Sequence, residues 1–268
     1  MPVCRYINLD AATDRRRAVE ASFAAAEPHG WRLERFAGLG PGYKGMPSPL
    51  RPGAQGCFHS HREALAASLA DDEPVMVMED DVAFAPRTFA AVGQLLAQPG
   101  DWDLLLTEGA ILDAALMVTV ARARNSLAAE GRFGVMDLKD RPFAGATGYV
   151  VRGSSKRKVW EALAAADLSR PIDLYLRDLS HDGRLKVALA IPYLTTLAPA
   201  ADASQIVGDD PAWDRPIFLF RRYMFLDRDL DALAREAQAL TAMAEDEGRV
   251  LGGVIAAVTS PGFRGRRK

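Results

Sequence analysis

Hydrophobic residues along this chain form short apolar runs that alternate with segments whose apolar residues recur at helical spacing. The apolar runs predict strands over residues 3–9, 31–36, 74–78, 102–106, 148–151 and 186–191. The helically spaced segments predict helices over residues 14–26, 55–69, 86–97, 154–166, 174–179 and 229–247. Because strands that alternate with helices form sheets with much parallel pairing, the pattern predicts an α/β fold.

The pattern changes character after about residue 208. Residues 218–222 are apolar and basic, and the segment that follows at 229–247 is an amphipathic helix by its spacing. We therefore expect an α/β domain over residues 1–207 and a C-terminal helical extension over residues 208–268. This extension is expected either to pack on the domain or to form a tail.

A stretch rich in glycine and proline at residues 38–56 predicts a loop between the second strand and the second helix. Residues 40–45 have the G-x-G-x-x-G spacing of a dinucleotide-binding turn. That turn must open directly into a helix, whose amino end receives the pyrophosphate. Pro47, Pro49 and Pro52 follow instead, and proline blocks helix continuation. We interpret the segment as a mobile loop that folds over a ligand.

Composition narrows the functional classes. The formal net charge of the 268-residue chain is −2, so no global basic field favours nucleic acid. Its two cysteines, Cys4 and Cys57, are too few for a disulfide scaffold, which favours a reducing compartment. The first residues leave no room for a secretory leader, and no apolar run reaches the roughly 18 to 20 residues that span a bilayer. We expect a cytoplasmic protein.

Three consecutive carboxylates, Glu79, Asp80 and Asp81, directly follow the apolar run at 74–78. Ligands of α/β sheets gather at the carboxyl ends of strands. Like charges a few ångströms apart repel by roughly 1 to 4 kcal/mol, and a divalent cation relieves this repulsion while bridging phosphate oxygens. From the triplet alone, a solvated acidic turn is an equal alternative.

The context of the triplet resembles a known family. The segment MEDDVAF at 78–84 resembles the EDD motif of the family 25 glycosyltransferases, which build bacterial lipooligosaccharide and include collagen galactosyltransferases. The resemblance covers roughly residues 3–206 in chain order, through YINLD at 6–10, DRR at 14–16, RFAG at 35–38, GCFHSH at 56–61, WD at 102–103, GYVV at 148–151 and PID at 171–173. It implies a GT-A-like, Rossmann-type sandwich with a mixed, mostly parallel sheet, and a catalytic domain over residues 1–207.

The family resemblance also implies a function. It implies a metal-dependent transferase that moves a hexose, often galactose from UDP-galactose, onto a glycan acceptor such as lipooligosaccharide, with inversion. The cofactor would be Mn²⁺ or Mg²⁺, bound by Asp81 and Glu79. The residues implied to contact the donor are Asn8, Asp10, Arg15, Ser60, His61, Glu79 and Asp80.

An inverting transfer needs a carboxylate that takes the proton from the acceptor hydroxyl. Asp173 is the first candidate, because it matches the P-x-D position of the family and begins a predicted helix. A helix N-cap is an equal alternative for Asp173. Asp178 and Glu108 are the reserve candidates for this base.

Two sequence patterns that contain histidine are weaker candidates for a metal site than the acidic triplet. At helical spacing Cys57 and His61 share a face while His59 points elsewhere, so the Cys-x-His-x-His string is a poor zinc site. A hydrogen-bonding His61 near the donor is favoured, with a structural histidine as the alternative. His181 is interpreted as a surface-turn histidine rather than a metal ligand.

Basic residues near the C-terminus suggest contact with an anionic membrane surface. They are Arg264, Arg266, Arg267 and Lys268, together with Arg221 and Arg222. Peripheral docking at the inner membrane would suit an enzyme that modifies a lipid-linked glycan, whereas a solvated terminus is the simpler interpretation.

Two alternatives to a transferase remain: a catalytically silent module that binds nucleotide sugar or glycan, and a metal-dependent phosphohydrolase.

Overall fold

The computed structural model describes residues 1–28, 30–40, 43, 47–202, 211–227, 229–242 and 246–264. Its strands are β1 Val3–Asn8, β2 Arg32–Ala37, β3 Val75–Glu79, β4 Val82–Phe84, β5 Leu104–Leu106, β6 Ala110–Ile111, β7 Gly134–Asp137, β8 Phe143–Ala144, β9 Gly148–Val151, β10 Val187–Ile191 and β11 Thr195–Leu197. Its α-helices are α1 Thr13–Ala25, α2 Pro52–Ala66, α3 Thr88–Ala97, α4 Ala114–Ala129, α5 Lys156–Ala164, α6 Ile172–His181, α7 Pro211–Met224, α8 Leu230–Leu240, α9 Asp246–Thr259 and α10 Pro261–Arg264.

A seven-stranded mixed sheet with the order β2-β1-β3-β9-β5-β10-β7 forms the centre of the molecule. The strands β2, β1 and β3 are parallel to one another, and β10 is parallel to β5. Because β9 is antiparallel to both β3 and β5, these five strands all run in one direction. Only β9 and β7 oppose them within this sheet. The predicted α/β fold with a mixed, mostly parallel sheet is confirmed.

The register of the parallel strands brings three strand ends to one edge of the sheet. Ile7 lies opposite Glu79 across β1 and β3, while Asn8 lies opposite Ala37 across β1 and β2. The acidic triplet therefore follows β3 at the same edge at which β1 and β2 end. This is the edge where α/β sheets bind their ligands.

Helices cover both faces of the sheet, and the side chains of β3 alternate between them. Val75 and Val77 belong to the hydrophobic cluster that includes α2 and α4 to α6. Met76 and Met78 belong to the opposite cluster, which includes α1 and α3. Since all four side chains are 1% exposed or less, the continuous apolar run at 74–78 is a strand buried on both faces, as predicted.

The helices after residue 210 pack on the same core as the sheet. Ile217 and Tyr223 of α7 and Ile255 of α9 belong to the cluster that contains Leu104 and Val187 of the sheet. The helical extension is thus packed on the rest of the chain over its described residues. The predicted boundary between residues 207 and 208 lies outside them.

The single helix predicted over 229–247 is wrong, because α8 ends at Leu240 and α9 begins at Asp246. The two helices fold back on each other so closely that a Cβ atom on Gly252 would lie 2.7 Å from Cβ of Leu240. This fold buries Leu233 against the core together with Leu251. One continuous helix would leave part of that apolar surface in water, which is unfavourable.

The sequence pattern also left α4 and β7 unpredicted. The helix α4 carries Arg124 on its buried side, which interrupts the apolar stripe that would have identified it. This guanidinium, only 5% exposed, donates from Nη2 to the carbonyl oxygen of Phe225 at 3.0 Å. A long-range partner therefore satisfies a residue that local sequence marks as a surface group.

The basic residues of the C-terminal region are used differently from the membrane-docking prediction. Arg221 is 6% exposed and forms a buried ion pair, so the prediction that it contacts a membrane surface is wrong. Arg264 pairs with Asp231 at 2.7 Å, and residues 265–268 lie outside the described part of the chain. No helix in the described part is both long enough and apolar enough to cross a bilayer.

Candidate functional site

A cleft of about 750 Å³, including the solvent at its mouth, lies at the edge where β1 and β3 end. The residues that line it are Ile7, Leu9, Arg15, Gly38, Leu39, Gly40, Gly53, Cys57, Ser60, His61, Glu79, Asp80 and Asp81. The cleft therefore combines an apolar wall, glycine backbone and the whole acidic triplet.

The wall opposite the triplet depends on a close approach between α2 and the segment after β2. A Cβ atom on Gly56 would lie 2.1 Å from the carbonyl oxygen of Leu39, so only glycine fits there. Ser60 Oγ accepts from the Leu39 amide at 2.8 Å and donates to the Gly56 carbonyl at 2.7 Å. Ser60 thus lines the cleft as predicted for a donor contact, but its hydroxyl already bonds within this wall.

The helix α2 begins three residues before the predicted start at Gln55. Pro52 is its first residue, where the fixed φ of proline suits a helix and its missing N–H costs nothing. Within the G-x-G-x-x-G segment, residues 41, 42, 44 and 45 lie outside the described part of the chain. Gly40, which is described, lines the cleft.

Asp80 anchors the floor of the cleft through Asn8 and Arg15. Asn8, 1% exposed, donates from Nδ2 to Oδ2 of Asp80 at 2.6 Å. Arg15 Nη1 donates to Oδ1 of the same carboxylate at 3.2 Å. These three donor-site candidates are therefore brought together, and the alternative of a solvated acidic turn is wrong because Asp80 is only 9% exposed.

Asp10 takes a different position from the one the family resemblance implies. Its side chain is 86% exposed and pairs with Arg35 at 2.5 Å. It is not among the described residues that line the cleft. The side chain that follows β1 into the cleft is Leu9, so the structure does not place Asp10 with the other donor candidates.

Glu79 faces two side chains of α2. Its Oε1 atom lies 3.5 Å from Nε2 of His61 and 3.9 Å from Sγ of Cys57. Burial acts to raise the pKa of Glu79, but the adjacent His61 and two nearby arginines outweigh it and hold the pKa below its ordinary value. The i, i+4 spacing of Cys57 and His61 does place both on one face, as predicted.

Asp81 is the member of the triplet whose charged form is disfavoured by its surroundings. Its side chain is 15% exposed, and Oδ1 is a buried atom without a hydrogen-bond partner among the described residues. Burial and the negative charge of Glu79 raise the pKa of Asp81 to about 7, against the opposing charge of Arg15. Two neighbouring carboxylates, one with an orphaned buried oxygen, fit a divalent cation.

Cys57 carries a buried thiol beside these acids. Burial raises the pKa of Cys57 well above its ordinary value, and the negative charges of Glu79 and Asp173 raise it further. In the part of the chain that the structure describes, Cys57, His61 and Glu79 are the group of three potential ligands whose donor atoms all lie within 4.8 Å of one another. Asp81 is not a member of this group.

Asp173 lies in the first turn of α6, where its Oδ2 atom accepts from the amide of Gly145 at 3.0 Å. The alternative of an N-cap is wrong, because the N-cap residue of α6 is Pro171. Asp173 is close enough to affect Cys57 electrostatically, but it is not among the residues that line the cleft.

The two reserve candidates for the general base, Glu108 and Asp178, each form an ion pair. Glu108 is fully buried and bonded to Arg221, so it is wrong as a free base. Asp178 pairs with Arg170 at 3.2 Å. His181 bonds through Nε2 to the carbonyl oxygen of Arg141 at 2.9 Å, at the end of α6 remote from Asp173.

Two residues near the site were missed by sequence reasoning. Tyr149 lies with its hydroxyl oxygen 3.2 Å from Nδ1 of His61. Arg221 contributes a positive charge that opposes protonation of Glu79 and Asp81. Since 88 residues separate Tyr149 from His61, no local signal in the sequence could have linked them.

Comparison of this chain with protein-family models and with curated proteins finds no match. Functional inference therefore rests on the motifs along the chain and on the cleft that collects their side chains.

Proposed function

We propose that this protein is a glycosyltransferase that uses a divalent cation to move a hexose from a nucleotide sugar onto a glycan acceptor. The observation that carries the proposal is the convergence of Arg15, His61, Glu79 and Asp81 on one cleft at the carboxyl edge of the sheet. The motif resemblance supplies the finer terms, which are a UDP-galactose donor, a lipooligosaccharide-like acceptor, inversion of configuration and action at the cytoplasmic side of the inner membrane.

The chain offers separate surfaces for the parts of such a donor. Ile7, Leu9 and Leu39 form apolar wall against which a nucleotide base can pack. The backbone of Gly38 and Gly40 allows close approach of a ribose or phosphate. These surfaces and the acids line the same cleft, so one nucleotide sugar can contact both.

The charged groups of the cleft suit a departing diphosphate. Glu79 and Asp81 would hold Mn²⁺ or Mg²⁺, and the cation supplies positive charge that stabilises the leaving group. Arg15, held by Asp80 and 3.7 Å from Asp81, adds a second positive charge at the same edge. Asn8 fixes Asp80 and thereby orients Arg15.

Asp173 is the proposed general base for the acceptor hydroxyl. The amide of Gly145 holds one of its carboxylate oxygens, which fixes the side chain in place. Proton transfer to such a group is typically worth about 10² to 10⁴ in rate. In this proposal the proton moves to Asp173 as the hydroxyl oxygen attacks the anomeric carbon and the diphosphate leaves.

A catalytically silent module that binds a nucleotide sugar or glycan is the second candidate. The observation that favours it is the position of Asp173, which lies outside the residues that line the cleft. In this alternative the cleft binds ligand and no base reaches an acceptor. The two candidates share the same binding residues and differ in turnover.

The proposal is tested by thermal unfolding of the full chain with a panel of nucleotide sugars, each with and without Mn²⁺. A donor at 100 times its dissociation constant should stabilise the fold by about 2.7 kcal/mol, and only with the cation present. Asp81→Asn should remove that stabilisation, whereas Asp14→Asn, at an exposed position in α1, should retain it.

Two results would contradict this reading in different ways. If no nucleotide sugar stabilises the protein in a metal-dependent manner, the transferase and the module that binds a nucleotide sugar both fall, and only a glycan-binding module is left. If one does, but neither hydrolysis nor transfer of its sugar is detected with glycan acceptors, the silent module replaces the transferase.

A further inference from the structure

We infer that Cys57, His61 and Glu79 form a transition-metal site in the cleft that selects Zn²⁺-like ions over Mg²⁺. The donor atoms of the three side chains lie within 4.8 Å of one another, and all three residues line the same cleft. Two come from one face of α2 and the third from the end of β3. All three ligands are therefore carried by regular secondary structure rather than by loops.

The orientation of His61 is the independent observation that points to a ligand. The imidazole is fully buried, and its Nε2 atom has no hydrogen-bond partner among the described residues. This nitrogen lies 3.5 Å from Oε1 of Glu79, on the side of the ring that faces the group of three. A buried ring nitrogen without a partner is unfavourable, and a bound cation would satisfy it.

Tyr149 contacts the other ring nitrogen of His61, Nδ1. Its hydroxyl oxygen lies 3.2 Å from Nδ1 of His61, and the two rings stack at a centroid distance of 5.6 Å. When Nδ1–H donates to this oxygen, the Nε2 lone pair is available to a cation bound between His61 and Glu79; without a cation, an Nε2–H faces the Glu79 carboxylate instead. Metal-binding histidines are usually held in this way by a hydrogen bond from the second nitrogen.

The donor set determines which cation fits. A thiolate and an imidazole favour Zn²⁺ and Co²⁺, whereas Mg²⁺ prefers oxygen ligands and keeps its water. Cys57 would bind as the thiolate and release its proton to solvent. Three protein ligands at the wall of an open cleft leave a coordination position for an exogenous group, as in catalytic zinc sites.

This site differs from the Cys-x-His-x-His string considered in the sequence. His59 does not belong to it, because its ring lies edge-on to Tyr43 at a centroid distance of 5.0 Å. Glu79 from another element supplies the third ligand. The inference stands without the transferase proposal, since it concerns only which ion the cleft binds. If the transferase proposal and this inference both hold, Glu79 is a ligand common to this metal site and to the proposed donor site.

The test is a Co²⁺ titration of the full, untagged chain after removal of metal with a chelator. We expect a thiolate-to-cobalt charge-transfer absorption that saturates at one ion per chain and is abolished by Zn²⁺ but not by excess Mg²⁺. Cys57→Ser should lose this absorption. The matched variants Cys4→Ala and His59→Gln should keep it, because neither residue belongs to the group of three.

Tyr149→Phe leaves every ligand in place and tests the orientation of His61. This variant should keep the absorption but bind Co²⁺ about 10- to 100-fold more weakly, which is the usual effect of removing such a supporting hydrogen bond. Far-ultraviolet circular dichroism of each variant tests whether the fold is retained.

The inference is overturned if the wild-type chain gives no charge-transfer absorption, or if Cys57→Ser keeps it. It is also overturned if Mg²⁺ displaces Co²⁺ as readily as Zn²⁺ does. A protein that binds Co²⁺ as expected but is not stabilised by any nucleotide sugar would retain this site and lose the transferase proposal. Conversely, Mn²⁺-dependent nucleotide binding without the thiolate signal would retain the transferase and remove this site.

Discussion

Arg221 and Glu108 form a two-point ion pair although 113 residues separate them in the chain. Arg221 Nε donates to Oε2 at 2.5 Å and Nη2 donates to Oε1 at 2.6 Å, with a further bond to Thr147 Oγ1. The two side chains are 7% and 0% exposed. The pair joins α7 to the segment that follows β5, and it places a permanent positive charge near the acids of the cleft.

Removing one member of this pair should destabilise the protein strongly. Arg221→Met leaves the Glu108 carboxylate buried without its partner, which typically costs about 3 to 5 kcal/mol in the free energy of unfolding. Urea denaturation measures this change. The double variant Glu108→Leu/Arg221→Met should recover most of the loss, because no charge remains buried. Arg87→Met, which breaks a solvent-exposed pair with Asp227, should cost less than about 1 kcal/mol.

Gly56→Ala should disrupt the wall of the cleft. The added methyl group would lie 2.1 Å from the Leu39 carbonyl oxygen, so α2 or the segment after β2 must move. Overpacking of this kind costs about 1 to 3 kcal/mol, measured by chemical denaturation. Gly53→Ala in the same helix meets no atom within 4 Å and should be neutral or stabilising. Equal effects of the two substitutions would contradict this account.

Asn8→Asp should show that Asp80 is an anchor within the fold. The new carboxylate would face Oδ2 of Asp80 at the 2.6 Å distance now occupied by a hydrogen bond. We expect a loss of about 1 to 3 kcal/mol in unfolding free energy at neutral pH, measured by urea denaturation. Asp10→Asn, at an exposed side chain just after β1, should change stability by less than about 0.5 kcal/mol.

Asp103 should make stability depend on pH. Burial acts to raise the pKa of Asp103, but bonds from Lys158 Nζ, Ser155 Oγ and the Lys186 amide outweigh it and lower the pKa below the ordinary value. A carboxylate with a lowered pKa stabilises the fold above the ordinary aspartate pKa of about 3.9, and that stability is lost as the pH falls through the lower folded value. Asp103→Asn should therefore cost about 1.5 to 3 kcal/mol at pH 7.

Comparing the wild type with Asp103→Asn also gives the pH range over which the Asp103 carboxylate stabilises the fold. The difference in unfolding free energy between the wild type and Asp103→Asn should be constant from neutral pH down to about pH 5 and shrink below about pH 4. Urea titrations at a series of pH values measure this difference. A difference that grows in acid would mean that Asp103 is not held as a carboxylate in the folded protein.

Asp173→Asn tests the proposed base. Sugar transfer should fall by about 10² to 10⁴, while the metal-dependent stabilisation by nucleotide sugar stays within error of the wild type. Asp178→Asn, in the same helix and already paired with Arg170, should transfer normally. If Asp173→Asn transfers as well as the wild type, the proton is accepted elsewhere.

The sequence predicted best where the signal is local. The apolar run before the triplet is a strand buried on both faces, and the spacing of Cys57 and His61 places both on one face of α2. The prediction failed where a distant contact reverses the local signal. The helix α4 was not predicted because its buried face includes Arg124, which bonds to the Phe225 carbonyl, and the fold-back of α9 on α8 divides a pattern that predicted one helix.

Periodicity along this chain was therefore sufficient to determine the α/β class, the order of most elements and the position of the acidic triplet at a strand end, since these depend on neighbouring residues. Only the tertiary structure decided which side chains share the cleft. It turned Asp10 toward Arg35, paired Glu108 with Arg221 and set Glu79 against His61. These contacts depend on sheet register and helix packing, which join residues that have no local relation in the sequence.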